Sequence, residues 1–159
     1  MHDDDLDDEP LTTLDPRYKA MLHTYAALSM VPLLALGLGL SLAGEVPAWV
    51  PGIILLVIAA LFVFYLPTRR WQSRGYHMAA DRLRVVRGVM FHADTVVPFN
   101  RVQHLDVEQG PLERAFGIAR LILHTAGTHN ASVVLPGLSH ETAVAMREAI
   151  RAHVKRESL

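Results

Sequence analysis

Two stretches of the chain, 24–43 and 46–66, contain no Asp, Glu, Lys or Arg, and only Glu45 stands between them. Each is about 20 residues long, and at about 1.5 Å of rise per residue such a helix spans the roughly 30 Å hydrocarbon core of a bilayer. The rest of the chain is too small to enclose two helices that are apolar all round. The pattern therefore predicts a two-helix transmembrane hairpin.

After Leu66 the period changes. Short runs rich in Val, Ile, Leu or Thr, at 75–80, 83–87, 90–98, 102–108, 118–125 and 132–135, alternate with turn residues such as Asp81, Gly88, Asn100, Gly110-Pro111 and Pro136-Gly137. The two-residue alternation of a half-buried sheet points Leu83 and Val85 inward and Arg82 and Arg84 outward. Likewise Leu105 and Val107 oppose His104, Asp106 and Glu108, and Leu121 and Leu123 oppose Arg120, Ile122 and His124. From Ser139, read as an N-cap, the period becomes helical: Ala143, Met146, Ile150 and Val154 form one apolar stripe. Arg147, Arg151, Lys155 and Arg156 fill the opposite face. The fold class expected is a membrane protein: a two-helix transmembrane hairpin, then a small antiparallel β-barrel or bent sandwich closed by a C-terminal α-helix. Its expected domains are an acidic, disordered tail at 1–16, the hairpin at 17–68 and a cytoplasmic domain at 69–159.

Charge sharpens that picture. The formal net charge is −1, but the part after Leu66 carries 13 Lys and Arg against 8 Asp and Glu, while Asp3, Asp4, Asp5, Asp7, Asp8 and Glu9 crowd the start. Arg17 and Lys19 precede the first apolar run, and Arg69, Arg70 and Arg74 follow the second. The loop between the runs has no Lys or Arg. By the positive-inside rule both termini are cytoplasmic, with a tiny outside turn at 44–47. An acidic leader and a long apolar run do not fit a cleaved signal peptide. Trp49 at one end of the second run and Phe62, Phe64, Tyr65 and Trp71 at the other suit interfacial anchoring. Ala35, Gly39 and Ala43 form a small-residue stripe, expected to pack within the hairpin, with a partner's helix as the alternative.

Several chemistries drop out. With no cysteine there are no disulfides, iron–sulfur centres or thiol catalysis. There is no G-x-S-x-G elbow and no glycine-rich phosphate loop. His104 and Asp106 share a strand face, and adding His92, Asp94, His124 and His129 would make a metal set, but no tight ligand spacing appears, and surface histidines are the better account. The expectation is no catalytic site, no metal and no cofactor, and neither nucleic acid nor a small-molecule substrate as partner.

The runs Thr95-Val-Val-Pro98, Arg101-Val-Gln-His104, Asp106-Val107, Gln109-Gly-Pro-Leu112, Arg114, Phe116-Gly117, Leu123-His-Thr-Ala-Gly127 and Leu135-Pro-Gly-Leu138, preceded by the hairpin, resemble the YdbS-like family of bacterial pleckstrin-homology (PH) domain membrane proteins. The resemblance covers nearly the whole chain apart from the acidic start. It implies a PH-like barrel facing the cytoplasm from the bacterial inner membrane, no known catalytic residues or cofactor, and a role in envelope homeostasis or stress tolerance. From the residues themselves, Gln109-Gly110-Pro111 suits a tight turn, with Leu112, Ala115 and Phe116 folding a helical turn over the sheet and Gly117 ending it.

Two functional classes follow. The first is a non-enzymatic, membrane-anchored interaction module that assembles with other membrane proteins of its family or with itself, using Arg101, Gln103, His104, Asp106 and Arg114 as its surface. The alternative is an anionic lipid-headgroup module in which Arg69, Arg70, Arg82 and Arg84 face the lipid.

Overall fold

The computed structural model describes residues 10–44, 47, 49–126 and 132–157. The chain forms two compact units: Lys19–Trp71, and a strand-rich unit that joins the chain up to Tyr18 with the chain from Gln72 onward.

The first unit is built from α1 (Pro16–Leu42), α2 (Trp49–Ala60), a π-helical stretch at Leu61–Tyr65 and α3 (Leu66–Gln72). Only 6% of the most apolar window of either long helix is buried, so these helices present apolar side chains outward all round, as lipid requires and water does not. Helix α1 starts eight residues before the expected apolar run. Pro16 stands at its first turn, and the Asp15 carboxylate accepts the Arg17 amide at 2.8 Å, an N-cap that needs no hydrophobicity. Hydropathy locates the membrane, whereas capping locates the helix. Hydroxyls inside the span bond back to their own helix: Thr24 to the Ala20 carbonyl, Ser29 to Ala26 and Ser41 to Gly37.

The helices meet at Gly37, where an added Cβ would come within 2.4 Å of Leu55 Cδ1. Gly39 has nothing within 4 Å of that position, and Ala35, Gly39 and Ala43 are all exposed. The expected stripe is thus corrected: the close approach inside the hairpin uses Gly37, one helical face away. Glu45, on the turn expected outside, lies beyond the described residues.

The strand-rich unit comprises β1 (Thr12–Thr13), β2 (Arg74–Met78), β3 (Arg82–Arg87), β4 (Ala93–Pro98), a 3₁₀ turn (Phe99–Arg101), β5 (Val102–Glu108), α4 (Pro111–Ala115), β6 (Ile118–Thr125), β7 (Ser132–Ser139) and α5 (His140–Glu157). The first four strands form one antiparallel sheet in the order β1-β2-β3-β4, and the last three form another, β5-β6-β7. Leu83, Val85, Ile118, Leu121, Leu123, Leu135 and Ile150 are almost completely buried between the sheets and α5. Ser139 caps α5 as expected, its Oγ accepting the Thr142 amide at 3.0 Å.

The expected tail at 1–16 is corrected in its second half, whereas 1–9 lies outside the described residues. Thr12 and Thr13 pair with Tyr76 and Gly75, Leu14 is buried, and the Asp15 amide donates to the Gly137 carbonyl at 2.9 Å. The tertiary partners of this segment are more than 60 residues away in sequence, which no local pattern reveals. The last strand also runs past its expected end at Leu135. It is an edge strand, where Pro136 costs no ladder bond, and Gly137 takes a φ of +71° that absorbs the register shift between Ala119 and Leu121.

Candidate interaction site

Strand β5 is an edge strand of the second sheet, as β7 is on the other side. Its register with β6 slips between Val102 and His104, so Gln103 and His104 are both exposed before alternation resumes at Leu105. Helix α5 passes beside it. Val102, Gln103, His104 and Leu105 from β5, with Arg151, Val154 and Lys155 from α5, line a groove of about 290 Å³. Its floor is apolar and its rim carries two cations and an imidazole. An unpaired strand edge beside a helix is the geometry to which an extended segment can add as a further strand.

Of the five residues expected to share a surface, Gln103 and His104 line this groove. Arg101 lies in the 3₁₀ turn before β5 and Arg114 in α4 after it, on either side of a seven-residue strand about 23 Å long. Asp106 is engaged across the strands by His124, Nε2 to Oδ2 at 3.2 Å. Among the described residues no three His, Asp or Glu side chains group as a metal site, and His129 lies outside them. The helix residues Arg151 and Lys155 belonged, in the sequence, only to the polar face of an amphipathic helix. No local signal ties them to β5.

The run after β5 is largely architectural. The Gln109 side-chain amide donates to the Ile118 carbonyl at 2.7 Å, and the Gly110 amide donates to Glu113 Oε2 at 2.6 Å. Arg120 holds the same carboxylate oxygen at 3.2 Å. Glu113, not Ala115, is the buried member of this turn, and Ala115 is exposed. Gly117 ends it at a φ of +66°.

The basic strand face is also corrected. Arg84 does not point to solvent: it is 6% exposed and its guanidinium grips Asp94 through Nε at 2.9 Å and Nη2 at 2.6 Å. Four consecutive buried residues, Leu83 to Val86, break the assumed alternation, and the buried cation is tolerated because β4 places the Asp94 carboxylate diagonally across from it, opposite Val86. Arg82 pairs with Pro98 at the end of β3 remote from Arg87. Arg69 and Arg70 are exposed at the end of the second long helix, and Arg69 stacks over Tyr65 at 5.4 Å.

A polar feature of the hairpin escaped the sequence reading. Pro67 lies inside a helix, so the Val63 carbonyl four residues earlier loses its usual amide donor and meets the proline ring. The π-helical stretch absorbs that clash, and His23 Nδ1 donates to the Val63 carbonyl. The carbonyl can only accept, which fixes the imidazole tautomer at that nitrogen.

Titrating groups of the strand-rich unit are displaced at Asp15, at its partner Arg17, which the carboxylate pushes up, and at Tyr76. The hydrogen bond from Arg17 holds the Asp15 carboxyl below its usual range, outweighing the opposing effect of burial. Burial alone pushes the Tyr76 phenol up.

The model of the bacterial PH domain matches residues 29–154. A curated relative, the UPF0699 transmembrane protein YdbS of Bacillus subtilis (strain 168), is 29% identical over 107 residues, which cover 65% of each chain. The match thus spans a little under two thirds of that relative's length. No solved structure matches. A PH-like pair of sheets closed by a helix, joined to two membrane-length helices and matched over most of its length by that domain, places this chain in the bacterial PH-domain family as a YdbS-like membrane protein.

Proposed function

We propose that this protein is a non-enzymatic, membrane-anchored interaction module whose PH-like unit faces the cytoplasm and adds an extended segment of a partner membrane protein to the β5 edge. The observation that carries this reading is the β5–α5 groove, an edge strand beside a helix with an apolar floor and a rim of His104, Arg151 and Lys155. The rim favours a partner segment with acidic side chains, supplied by another member of the family or by a second copy. The role in envelope homeostasis or stress tolerance that the resemblance suggests rests on such assembly.

Topology has its own support. Strand β1 precedes the hairpin and pairs with β2, which follows it, so the chain leaves and re-enters one folded unit. That supports an even number of crossings, and the Arg and Lys at both ends favour the cytoplasmic side for both termini. Headgroup reading through Arg82 and Arg84 loses support, because Arg84 is committed to Asp94.

A photo-crosslinking residue at Gln103, in the full-length protein in its native membrane, should capture a protein partner. One at Ala149, exposed on α5 away from the groove, should not. The double change Arg151→Glu, Lys155→Glu should abolish the Gln103 adduct without lowering the protein's abundance. No protein adduct at Gln103, or one indifferent to the charge reversal, overturns the reading.

A further inference from the structure

The turn between β3 and β4 carries Val89, Met90 and Phe91, and the last two are 87% and 85% exposed. Every large apolar side chain described in the hairpin is less exposed, Leu42 coming next at 80%. A soluble surface tolerates single exposed apolar residues, but three in succession at the tip of a turn with no partner in their own unit call for a second surface. The tip is also held in shape. A Cβ on Gly88 would stand 2.3 Å from the Phe91 carbonyl oxygen, so the chain doubles back tightly and presents Met90 and Phe91 outward.

Its place in the fold supplies the surface. Strand β2 begins at Arg74, two residues after the second long helix ends at Gln72, and leads away from it. The antiparallel β3 returns, so the turn after Arg87 lies at the end of the sheet where the membrane segment joins it. Arg74 pairs with Arg87, and the Gly88 amide donates to the Ser73 carbonyl at 3.2 Å. Strand β1, antiparallel to β2, likewise leads toward that edge before entering α1. At any angle between the two units, Ser73 stays within about 10 Å of Leu66, where the apolar run ends, because seven residues of mainly helical chain rise no further. The polar headgroup layer on one side of a bilayer is about 5–8 Å deep, so the turn is tied to its outer edge. Along the chain Arg69 and Arg70 come just before this junction and Arg74 just after it, with Arg87 paired to Arg74, and anionic headgroups attract such charge.

We infer that Val89, Met90 and Phe91 form a third membrane contact, inserting into the interfacial layer of the leaflet that the hairpin crosses and fixing the tilt of the PH-like unit on it. This contact does not depend on the β5–α5 groove. The bond from Gly88 to Ser73, one residue after the second long helix, tethers the turn within reach of lipid, which favours lipid over a second protein as its occupant.

The chain has no cysteine, so a single introduced one can be labelled cleanly. The test uses the full-length protein in vesicles of phosphatidylethanolamine and phosphatidylglycerol, with a polarity-sensitive fluorophore at His92→Cys or, remote on the 3₁₀ turn, at Asn100→Cys. Both sites are exposed. The His92 probe should be quenched by lipid-borne spin labels and be at least threefold less accessible to aqueous iodide than the Asn100 probe. Met90→Ser with Phe91→Ser should restore its iodide accessibility to the Asn100 level while the thermal transition of the PH-like unit stays in place. Equal accessibility at the two sites, or protection that survives the double serine change, overturns the inference. Protection that vanishes at one protein per vesicle also overturns it, because the occupant is then a second copy.

Discussion

The hairpin and the PH-like unit handle the same apolar residue types in opposite ways. In the hairpin, Leu36, Leu38, Ile53, Leu56 and Phe64 are turned outward, while in the PH-like unit Leu83, Ile118, Leu121, Leu135 and Ile150 are sealed inside. Solvent makes the difference. Lipid gives apolar side chains no reason to hide but leaves backbone and hydroxyl groups without partners, so helices and local back-bonds dominate there. Water drives apolar area inward and leaves strand edges to be managed, so the PH-like unit carries paired sheets, a closing helix and an edge strand, β5, beside that helix. Polar exceptions follow the same division: His23 donates to a carbonyl that proline denies its usual amide, and Asp94 partners the buried Arg84 guanidinium.

The largest effect expected from breaking this contrast is in the core of the PH-like unit. Ile150→Asp places a carboxylate where there is no water, at a cost of several kcal/mol, comparable to the whole stability of a small domain. Arg151→Asp, on the exposed side of the same helix, should cost under about 1 kcal/mol. Thermal unfolding of the purified protein, followed by proteolysis of the PH-like unit, separates the two. Similar losses would mean the helix presents its other face.

Asp94→Ala should come next. It strands the Arg84 guanidinium in a nearly dry site, and because Asp94 is itself partly exposed the cost is about 2 kcal/mol rather than the larger penalty of a fully buried pair. Arg84→Met with Asp94→Ala should recover most of that loss. Failure of the double change to recover stability would show that Arg84 matters through packing rather than charge.

In the hairpin, His23→Leu should cost about 1 kcal/mol, the price of one unsatisfied carbonyl facing lipid. Unfolding of the hairpin in mixed micelles measures it. With Pro67→Ala in the background, position 67 supplies an amide again, and the histidine change should become nearly neutral. An unchanged penalty would remove Pro67 from the explanation.

The smallest effect concerns the junction. Asp15 has a folded-state pKa lowered below its ordinary value of 3.8, so its stabilisation is fully present above that value and is lost as pH falls through the lowered one. Asp15→Ala should cost about 1 kcal/mol at neutral pH, a typical N-cap loss, and the two proteins should converge as the pH falls through the lowered pKa of Asp15. A difference in melting temperature that persists in acid would assign the cap some other role.

Parts of the candidate site were legible and parts were not. Gln103 and His104 could be found because a polar strand interrupted by a slip in alternation exposes neighbouring side chains. Their companions Arg151 and Lys155 could not, because they arrive from a helix some 50 residues on and look like any solvated helix face. Arg84 misled the two-residue rule because a buried cation needs a carboxylate whose position, ten residues later across a hairpin, only the register of β3 with β4 supplies.

The sequence by itself determined the two spans, most of the strand positions, the N-cap at Ser139 and the inward face of α5, because each rests on a period or a cap that local residues carry. Burial is collective, and so the rest waited for the tertiary structure. Only the fold decided that Thr12 and Thr13 belong to the sheet they meet across the hairpin, and that Gly37 rather than Gly39 receives the second helix. Only the fold brought the turn that carries Val89, Met90 and Phe91 back beside Ser73, at the start of β2. Hydrophobicity along a chain states how much apolar surface must be removed from water. Antiparallel register and the closing of long loops decide against what.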